Sequence, residues 1–192
     1  MEFIIATGNP HKVKEFSRML TPLGIAAVSA KERAIRMEGV EENGSTFEEN
    51  AYIKAKAVCE VSGMAAVADD SGLCVDALGG RPGVYSARYA PTDRECIEKL
   101  LCELKSVPEE KRSAHFVSAI CCVFPDGRHF TVRGECEGKI AFAPRGDNDF
   151  GYDPVFLYGE KTFGEMEPSA KDAVSHRGRA LEAFVKELQN YL

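Results

Sequence analysis

Two adjacent carboxylates, Asp69 and Asp70, follow the apolar run in "MAAVADDSG". Acids at the end of a buried strand are costly unless they are solvated, paired or bound to a metal. Because successive strand side chains point to opposite faces, normally only one of the two can face a given site. The pattern predicts a metal ligand or a general base. The alternative is a turn in which both acids accept hydrogen bonds from loop amides, and spacing does not choose between the two aspartates.

A strand-to-helix connection follows the apolar run "FIIA" and consists of six consecutive residues: Thr7, Gly8, Asn9, Pro10, His11 and Lys12. Gly8 lets the backbone approach a ligand, Asn9 can cap the helix and Pro10 suits its first turn. The amides and dipole of a helix N-terminus favour an anion, and Lys12 adds a full positive charge. This predicts a phosphate-binding turn that is not a P-loop. The alternative is a plain connection that ends in a surface lysine.

Further polar residues could complete a metal and phosphate site. Glu41 and Glu42 lie in a polar loop. One of them could supply an oxygen to Mg²⁺, which usually binds through few carboxylates plus substrate phosphates. A solvated acidic loop is the alternative. Lys54 lies on the same predicted helix face as Asn50, and the residues alone predict an ordinary surface lysine.

The turn "FGYDP" contains Phe150, Gly151, Tyr152 and Asp153. Two aromatic rings with an acid between them would suit a base-stacking platform with a polar reader, and the alternative is an aromatic corner of the core.

The last helix begins in "SHRGRA", with Ser175 as the expected N-cap. His176 and Arg177 would lie in its first turn, where the helix dipole disfavours cations. This unfavourable placement indicates a ligand, and a surface arginine is the alternative.

Composition limits the class of protein. The chain has 192 residues, of which 44% are apolar and 28% charged, and its net charge is −6. We expect a single domain over residues 1–192, or two lobes that share one core. The negative charge argues against binding to nucleic acid or anionic membranes, but not against a small anionic ligand. With no signal peptide, no membrane span and seven scattered cysteines without a C-x-x-C pair, we expect a cytoplasmic protein with reduced thiols.

The spacing of apolar residues predicts the element order β-α-α-β-α-β-β-β-α, which is typical of an α/β fold. The first strand is expected over residues 2–7, and a polar stretch separates the first two helices. Thr46 begins the second helix with a capping box, and Gly63 ends it. A short strand ends at "DDSG", a third helix begins at Thr92, and "PDG" joins two strands of a hairpin. The last helix is expected from Ser175 onward.

These motifs occur in an order that resembles the inosine/xanthosine triphosphate pyrophosphatase family, enzymes that remove non-standard purine nucleotides. The resemblance covers almost the whole chain and rests on "TGNPHKVKE", "TFEENAYIKA", "DDSGLCVDALGGRPGVYSARYA", "PRGDNDFGYDPVF" and "EPSAKDAVSHRGRA". It implies an elongated, two-lobed α/β protein on a long twisted mixed sheet with flanking helices, an active-site cleft between the lobes, and a homodimer. It also implies Mg²⁺ and hydrolysis of ITP, dITP or XTP to the monophosphate and pyrophosphate.

The resemblance also assigns roles to individual residues. It implies that Thr7 to Lys12 and Lys54 bind the triphosphate, that Asp70 accepts a proton, and that Asp70 and Glu42 bind the metal. The residues implied for the substrate, its base and its sugar are Ser71, Phe150, Gly151, Tyr152, Asp153, Lys171, His176 and Arg177. Asp149, Gly164 and Asp172 differ from the usual family residues, which leaves the substrate ranking open. A purine-nucleotide binding protein without turnover is one rival interpretation, and a nucleotide pyrophosphatase of similar architecture but different base preference is a closer one.

Overall fold

The structure is a computed structural model that describes residues 2–37, 39–147 and 150–191, without the side chain of His11. The described residues form seven strands: β1 (Glu2–Ile5), β2 (Ala26–Ser29), β3 (Ala66–Val75), β4 (Ser113–Val123), β5 (His129–Ile140), β6 (Phe156–Tyr158) and β7 (Lys161–Thr162). They also form five α-helices: α1 (Pro10–Leu20), α2 (Phe47–Ser62), α3 (Asp93–Glu103), α4 (Pro168–Val174) and α5 (His176–Leu188). None of the described helices is long and apolar enough to cross a membrane.

The strands form one mixed sheet in the order β2-β1-β3-β4-β5-β6-β7. Strand β1 pairs in parallel with β2 and β3, whereas β6 pairs antiparallel with β5 and β7. Parallel neighbours require crossover connections, and helices supply them at this end of the sheet. The predicted α/β class and mixed sheet are confirmed, while the predicted two-lobed shape with a cleft stays a prediction.

Local sequence signals explain where the helices begin and end. The Thr46 hydroxyl accepts a hydrogen bond from the Glu49 N–H, and the Glu49 side chain completes the capping box of α2. Gly63 ends this helix with φ +64, a left-handed conformation that glycine adopts at little cost. Thr92 caps α3 in the same way as Thr46, by accepting from the Glu95 N–H. These predicted boundaries are confirmed.

The structure corrects four of the predicted assignments. Strand β1 ends at Ile5 rather than at residue 7. The polar stretch after α1 contains β2, whose four residues are too few to show a clear period. Strand β3 continues through "DDSG" to Val75, because both acids have partners and no turn is needed to solvate them. The short helix α4, which was not predicted, precedes α5.

The chain divides into two compact units, each built from separated segments. The first unit comprises Met1–Asp70, Ser118–Gly134 and Ala180–Leu192, and the second comprises Ser71–Val117 and Glu135–Arg179. Phe3, Phe16 and Phe184 are fully buried in the core of the first unit. Leu100 and Phe156 are fully buried in the core of the second unit. Each such side chain contributes about 1.5–3 kcal/mol on burial. That the chain acts as a single domain stays a prediction.

Candidate active site

In the first unit, Asp69 pairs with the lysine of the predicted phosphate turn. The Lys12 ammonium lies 2.5 Å from Asp69 Oδ2 and also contacts the Asp69 carbonyl at 3.4 Å. The hydroxyl of Ser118, on β4, donates to Asp69 Oδ1 at 2.5 Å. The Asp69 side chain is fully buried, so these partners offset the cost of removing its charge from water. Asp69 therefore fixes the position of Lys12.

Asp70 takes different partners, as the alternation of strand side chains requires. The Lys54 ammonium lies 3.2 Å from Asp70 Oδ1 and 2.8 Å from Glu42 Oε2. The Asn50 amide donates to Asp70 Oδ2 at 3.2 Å. The prediction that Lys54 is a surface residue is therefore wrong: residues 50 and 54 are one helical turn apart, and both are buried beneath Asp70. Glu42 belongs to this cluster and is not simply part of a solvated loop.

The electrostatics of this cluster leave Asp70 incompletely neutralised. Burial raises the pKa of Asp70 above its ordinary value, and Glu42 adds to that effect although Lys54, Asn50 and Lys12 oppose it. Burial acts to lower the pKa of Lys54, but Asp70 and Glu42 outweigh it and the pKa is raised. Lys54 therefore remains an ammonium, while one positive charge serves two carboxylates. The surplus negative charge favours a further cation.

The donor set of Glu42 and Asp70 fits magnesium. Their oxygens already converge on a single cationic group, the Lys54 ammonium. Within the described part of the chain, no group of three or more histidine, cysteine, aspartate or glutamate residues could hold a metal. Two carboxylates with oxygens from a phosphate ligand are an arrangement common for Mg²⁺, which keeps most of its water and seldom binds in an all-protein cage.

The turn before α1 lies next to β3. The Ala6 N–H donates to the Val67 carbonyl at 2.7 Å, and the Asn9 N–H donates to the Thr7 hydroxyl at 3.1 Å. A Cβ added to Gly8 would meet no heavy atom within 4 Å. Packing of the chain itself does not require glycine there, which agrees with a backbone that a ligand approaches closely. The predicted side-chain cap by Asn9 and the role of His11 stay predictions.

The second unit brings together the predicted base-side residues around a buried ion pair. The Lys171 ammonium lies 2.5 Å from Asp153 Oδ2, and both residues are at most 8% exposed. The same ammonium lies 5.4 Å from the centroid of the Phe150 ring. Tyr152 is buried in the core, and its hydroxyl donates to the Ser86 carbonyl at 2.8 Å. Asp153 is thus held by Lys171, and Asp149 lies outside the described residues.

The start of α5 contributes a buried histidine and a buried arginine rather than a surface arginine. The Ser175 hydroxyl accepts from the Gly178 N–H, which confirms the predicted N-cap. Arg177 is only 4% exposed and donates from Nη2 to the Ser71 hydroxyl at 2.9 Å. The His176 ring stacks on Phe116 at 4.6 Å between centroids. The alternative of an exposed arginine is therefore wrong.

Sequence reasoning missed four residues that support these clusters: Asn50, Ser86, Phe116 and Ser118. Asn50 had a usable signal, since asparagine is a poor residue for the middle of a helix and lies one turn before Lys54. Ser86, Phe116 and Ser118 occur in a loop and in apolar strand sequence, where nothing local marks them. Ser86 bonds to Tyr152, 66 positions away, and Ser118 bonds to Asp69, 49 positions away, so only the fold brings these partners together.

An α/β fold that carries converging carboxylates and lysines defines a protein suited to bind a polyanion together with a cation. The chain belongs to the Ham1 family, whose model matches residues 3–187. A dITP/XTP pyrophosphatase of Bacillus subtilis is 48% identical over 193 residues, covering 98% of this chain and 97% of the relative. A dITP/XTP pyrophosphatase of Thermus thermophilus is 47% identical and covers 97% of this chain and 91% of the relative.

Solved structures agree with this membership. A HAM1 protein from Coxiella burnetii has a TM-score of 0.91 and 40% identity, and the match covers 99% of both chains. The Ham1 protein of Staphylococcus aureus has a TM-score of 0.90 and 36% identity, and the match covers 100% of both chains. The resemblance inferred from the motifs and the fold class are both confirmed.

Proposed function

We propose that this protein hydrolyses non-standard purine nucleoside triphosphates, namely ITP, dITP and XTP, to the monophosphate and pyrophosphate. The observation that carries the proposal is the cluster in which Lys54 lies between Glu42 and Asp70. It provides carboxylates for a metal, an ammonium for phosphate and a buried acid for proton transfer. The relatives named dITP/XTP pyrophosphatase, at 46–48% identity, support the same substrate class.

Glu42 and Asp70 are the residues that would hold Mg²⁺. A bound Mg²⁺ would neutralise phosphate charge and orient the triphosphate chain. Lys54 would contact phosphate oxygens. The two carboxylates hold its ammonium in place, and the ammonium adds a positive charge to that of the metal.

Asp70 is the proposed general base. Its raised pKa reflects a carboxylate that burial destabilises, and a base of this kind gains more from taking a proton than an exposed aspartate does. Asp70 accepts a proton from the attacking water, whose oxygen forms the new bond to the α-phosphorus. The bond from the α-phosphorus to the bridging oxygen breaks, and that oxygen leaves with pyrophosphate. Lys12 and the backbone N–H groups of the turn, which Pro10 lacks, stabilise the departing charge.

The cluster of the second unit is proposed to bind the nucleoside. Phe150 offers an aromatic face beside the Lys171–Asp153 pair, and Arg177 offers donors to a purine oxygen. His176, Gly151 and the backbone of Tyr152 complete the proposed subsite, with Ser71 beside Arg177.

A purine-nucleotide binding protein without turnover is the rival function. Negatively charged side chains oppose the simple binding of a polyanion, so a pure binding protein would gain affinity if Glu42 and Asp70 were absent. Their presence in a lysine-containing cluster therefore favours catalysis.

Assembly as a homodimer and a cytoplasmic location are part of the proposal. Tyr85 and Phe142, each 62% exposed, offer apolar surface that a second copy would cover. Light scattering of the purified protein tests the dimer, and a monomer at micromolar concentration would contradict it.

The central experiment separates the products of a panel of nucleoside triphosphates. ITP, dITP, XTP, GTP and ATP are each incubated with the protein and Mg²⁺, with EDTA and the Asp70→Asn variant as controls. Monophosphate plus pyrophosphate from ITP, dITP and XTP, lost in both controls, is the expected result. Diphosphate plus phosphate, or binding without turnover, would overturn the proposal.

A further inference from the structure

The glycine-rich loop of residues 78–91 has no role in the proposed reaction, yet it contains a buried serine that bonds both to β3 and to Tyr152. Ser86 is 6% exposed and lies in the 3₁₀ helix Gly83–Arg88. The loop is tied to β3 by the Val75 N–H, which donates to the Arg81 carbonyl at 3.2 Å. Its fold therefore brings Ser86 alongside the strand that carries Ser71.

The Ser86 side chain bonds to the backbone of β3 and to the backbone of its own loop. Its hydroxyl accepts from the Leu73 N–H at 2.8 Å and donates to the Gly83 carbonyl at 2.6 Å. Leu73 is two residues beyond Ser71, whose hydroxyl accepts from Arg177. The Ser86 hydroxyl thus anchors the loop to β3 next to a proposed base-side residue.

The Ser86 backbone makes the second connection. Its carbonyl accepts from the buried Tyr152 hydroxyl at 2.8 Å. Tyr152 directly precedes Asp153, and the Asp153 N–H donates to the Phe150 carbonyl at 3.1 Å. The position of the tyrosine ring therefore determines the position of the base-side turn, residues 150–153.

A tyrosine hydroxyl in this bond is not available to read a nucleotide base. Burial raises the pKa of Tyr152 well above its ordinary value, so the phenol stays protonated and acts as a donor. Losing the bond would leave the Ser86 carbonyl without this donor inside the core, which is costly for a buried polar group.

We propose that Ser86 is a positioning residue that holds the base-side turn in place relative to Ser71 and Arg177, and thereby increases the affinity for the nucleoside. The proposal rests on the proposed function, because it takes residues 150–153 as the nucleoside subsite. Ser86 acts through Leu73 on one side and through Tyr152 on the other, and it does not itself contact substrate. Phosphate binding, which depends on residues of the first unit, is not affected.

Ser86→Ala and Tyr152→Phe test this inference, with IMP and pyrophosphate as separate probes. IMP carries the base and sugar, whereas pyrophosphate carries neither. Both dissociation constants are measured by calorimetry in the presence of Mg²⁺, together with thermal unfolding and with kcat and KM for ITP. Ser113→Ala and Tyr191→Phe are matched controls, because each removes a hydrogen-bonded hydroxyl that does not contact Ser86 or Tyr152.

The expected result is a loss of IMP affinity of roughly three- to tenfold in each variant, the size expected when one buried hydrogen bond is lost. Pyrophosphate affinity stays within about twofold, and the KM for ITP rises more than kcat falls. Ser86→Ala and Tyr152→Phe weaken the same link between β3 and the base-side turn. The factor by which the double variant loses IMP affinity is therefore smaller than the product of the factors for the two single variants. The two control variants bind both probes as the unmodified protein does.

Three results would overturn the proposal. The first is an equal loss of IMP and pyrophosphate affinity, and the second is a lower unfolding temperature with unchanged IMP affinity. The third is a failure of the unmodified protein to bind IMP. If Ser86→Ala does not fold, the milder Tyr152→Phe decides the question by the same comparison. Failure of the proposed function is distinguishable, since it is an absence of ITP turnover, whereas the binding comparison requires no turnover.

Discussion

The Lys12 ammonium lies 2.5 Å from the Asp69 carboxylate, while the next residue in the strand, Asp70, contacts Lys54 instead. Two adjacent acids therefore hold two different lysines. The Asp69 side chain is fully buried, and it also accepts a hydrogen bond from Ser118. Asp69 is suited to fix a lysine in place, whereas Asp70 lies beside Glu42, the second carboxylate of the proposed metal site.

The first prediction is that Lys12 serves the phosphates and not the base. Lys12→Ala should lower kcat/KM for ITP, XTP and GTP by the same factor, because all three carry the same triphosphate. Steady-state kinetics with the three substrates measure this. Asp69→Asn should lower kcat/KM by a similar factor for all three substrates, because Asp69 positions Lys12. Adding Asp69→Asn to Lys12→Ala should cause no further loss. A loss confined to one base would contradict the assignment of the turn to the phosphates.

The second prediction separates the two aspartates. Asp70→Asn keeps the shape of the side chain but removes the charge that binds the metal and accepts the proton. General-base catalysis alone contributes roughly 10²–10⁴-fold, so kcat should fall at least that far. Asp69→Asn should retain more activity, and circular dichroism should show both variants folded. Near-normal turnover by Asp70→Asn would show that the catalytic acid had been assigned wrongly.

The third prediction concerns the cation between Glu42 and Asp70. Lys54→Met leaves the buried carboxylate of Asp70 and the partly exposed one of Glu42 without their ammonium, and should destabilise the protein by about 3 kcal/mol. Because the pKa of Lys54 is raised, its contribution is present below the ordinary lysine value and is lost as the pH rises through the raised pKa. Thermal unfolding near pH 7.5 therefore measures the full effect.

Added Mg²⁺ provides the discriminating measurement for Lys54. It should raise the unfolding temperature of Lys54→Met more than that of the unmodified protein, since the metal supplies the missing positive charge. Lys56→Met is the matched control, because Lys56 is on the same helix and its side chain is 50% exposed. An equal Mg²⁺ effect in all three proteins would place the metal elsewhere.

Much of the fold could be predicted because its signals are local. The capping box at Thr46 and the hairpin turn "PDG" each depend on a few neighbouring residues, and both occur where expected. Strand β2 could not be predicted, because its place in the sheet comes from parallel pairing with β1 rather than from a pattern of its own. The end of β3 could not be predicted either, because lysines that are distant in the sequence pair with the two acids and stabilise them within the strand.

The candidate site was predictable in its residue types but not in its pairings. Sequence spacing left Asp69 and Asp70 equivalent, and only the fold shows that Lys12 pairs with one and Lys54 with the other. Lys54 resembles a surface residue in the helix pattern because burial of an ammonium depends on acids that lie 12 and 16 positions away. Long-range charge pairing of this kind leaves no period in the sequence.

The fourth prediction concerns the cysteines, all seven of which are free thiols. Burial raises the pKa of Cys121 to about 11 and that of Cys136 to about 11. At pH 8 only about one thiol in a thousand would be a thiolate at each site, because each pH unit below the pKa lowers the thiolate fraction about tenfold. Iodoacetamide should therefore label the exposed Cys102 first, as mass spectrometry of peptides would show. Cys102→Ser should remove the fast reaction, and rapid labelling of Cys121 would contradict its burial.

The last prediction concerns how the protein distinguishes inosine and xanthosine from adenosine. Arg177 is buried, and its Nη2 donates to the Ser71 hydroxyl at 2.9 Å, which orients the guanidinium. Hypoxanthine and xanthine present an oxygen acceptor at position 6, whereas adenine presents an amino donor there. Because a guanidinium has only donors, it would accept the first two bases and leave adenine's amino group facing another donor. An unpaired buried donor costs about 1–3 kcal/mol, or roughly five- to 150-fold in kcat/KM.

Arg177→Ala should therefore narrow the ratio of kcat/KM for ITP to that for ATP by roughly five- to 150-fold. Guanine also has the 6-oxygen, so the ratio of ITP to GTP should change much less. Ser71→Ala should shift the ITP/ATP ratio in the same direction but by less, because it removes only the residue that orients the guanidinium. Arg179→Ala is the control, since Arg179 lies on the same helix and donates to the Glu135 carbonyl. If the ITP/ATP ratio of Arg177→Ala equals that of the control, Arg177 does not read the 6-oxygen, and its bond to Ser71 has a structural role.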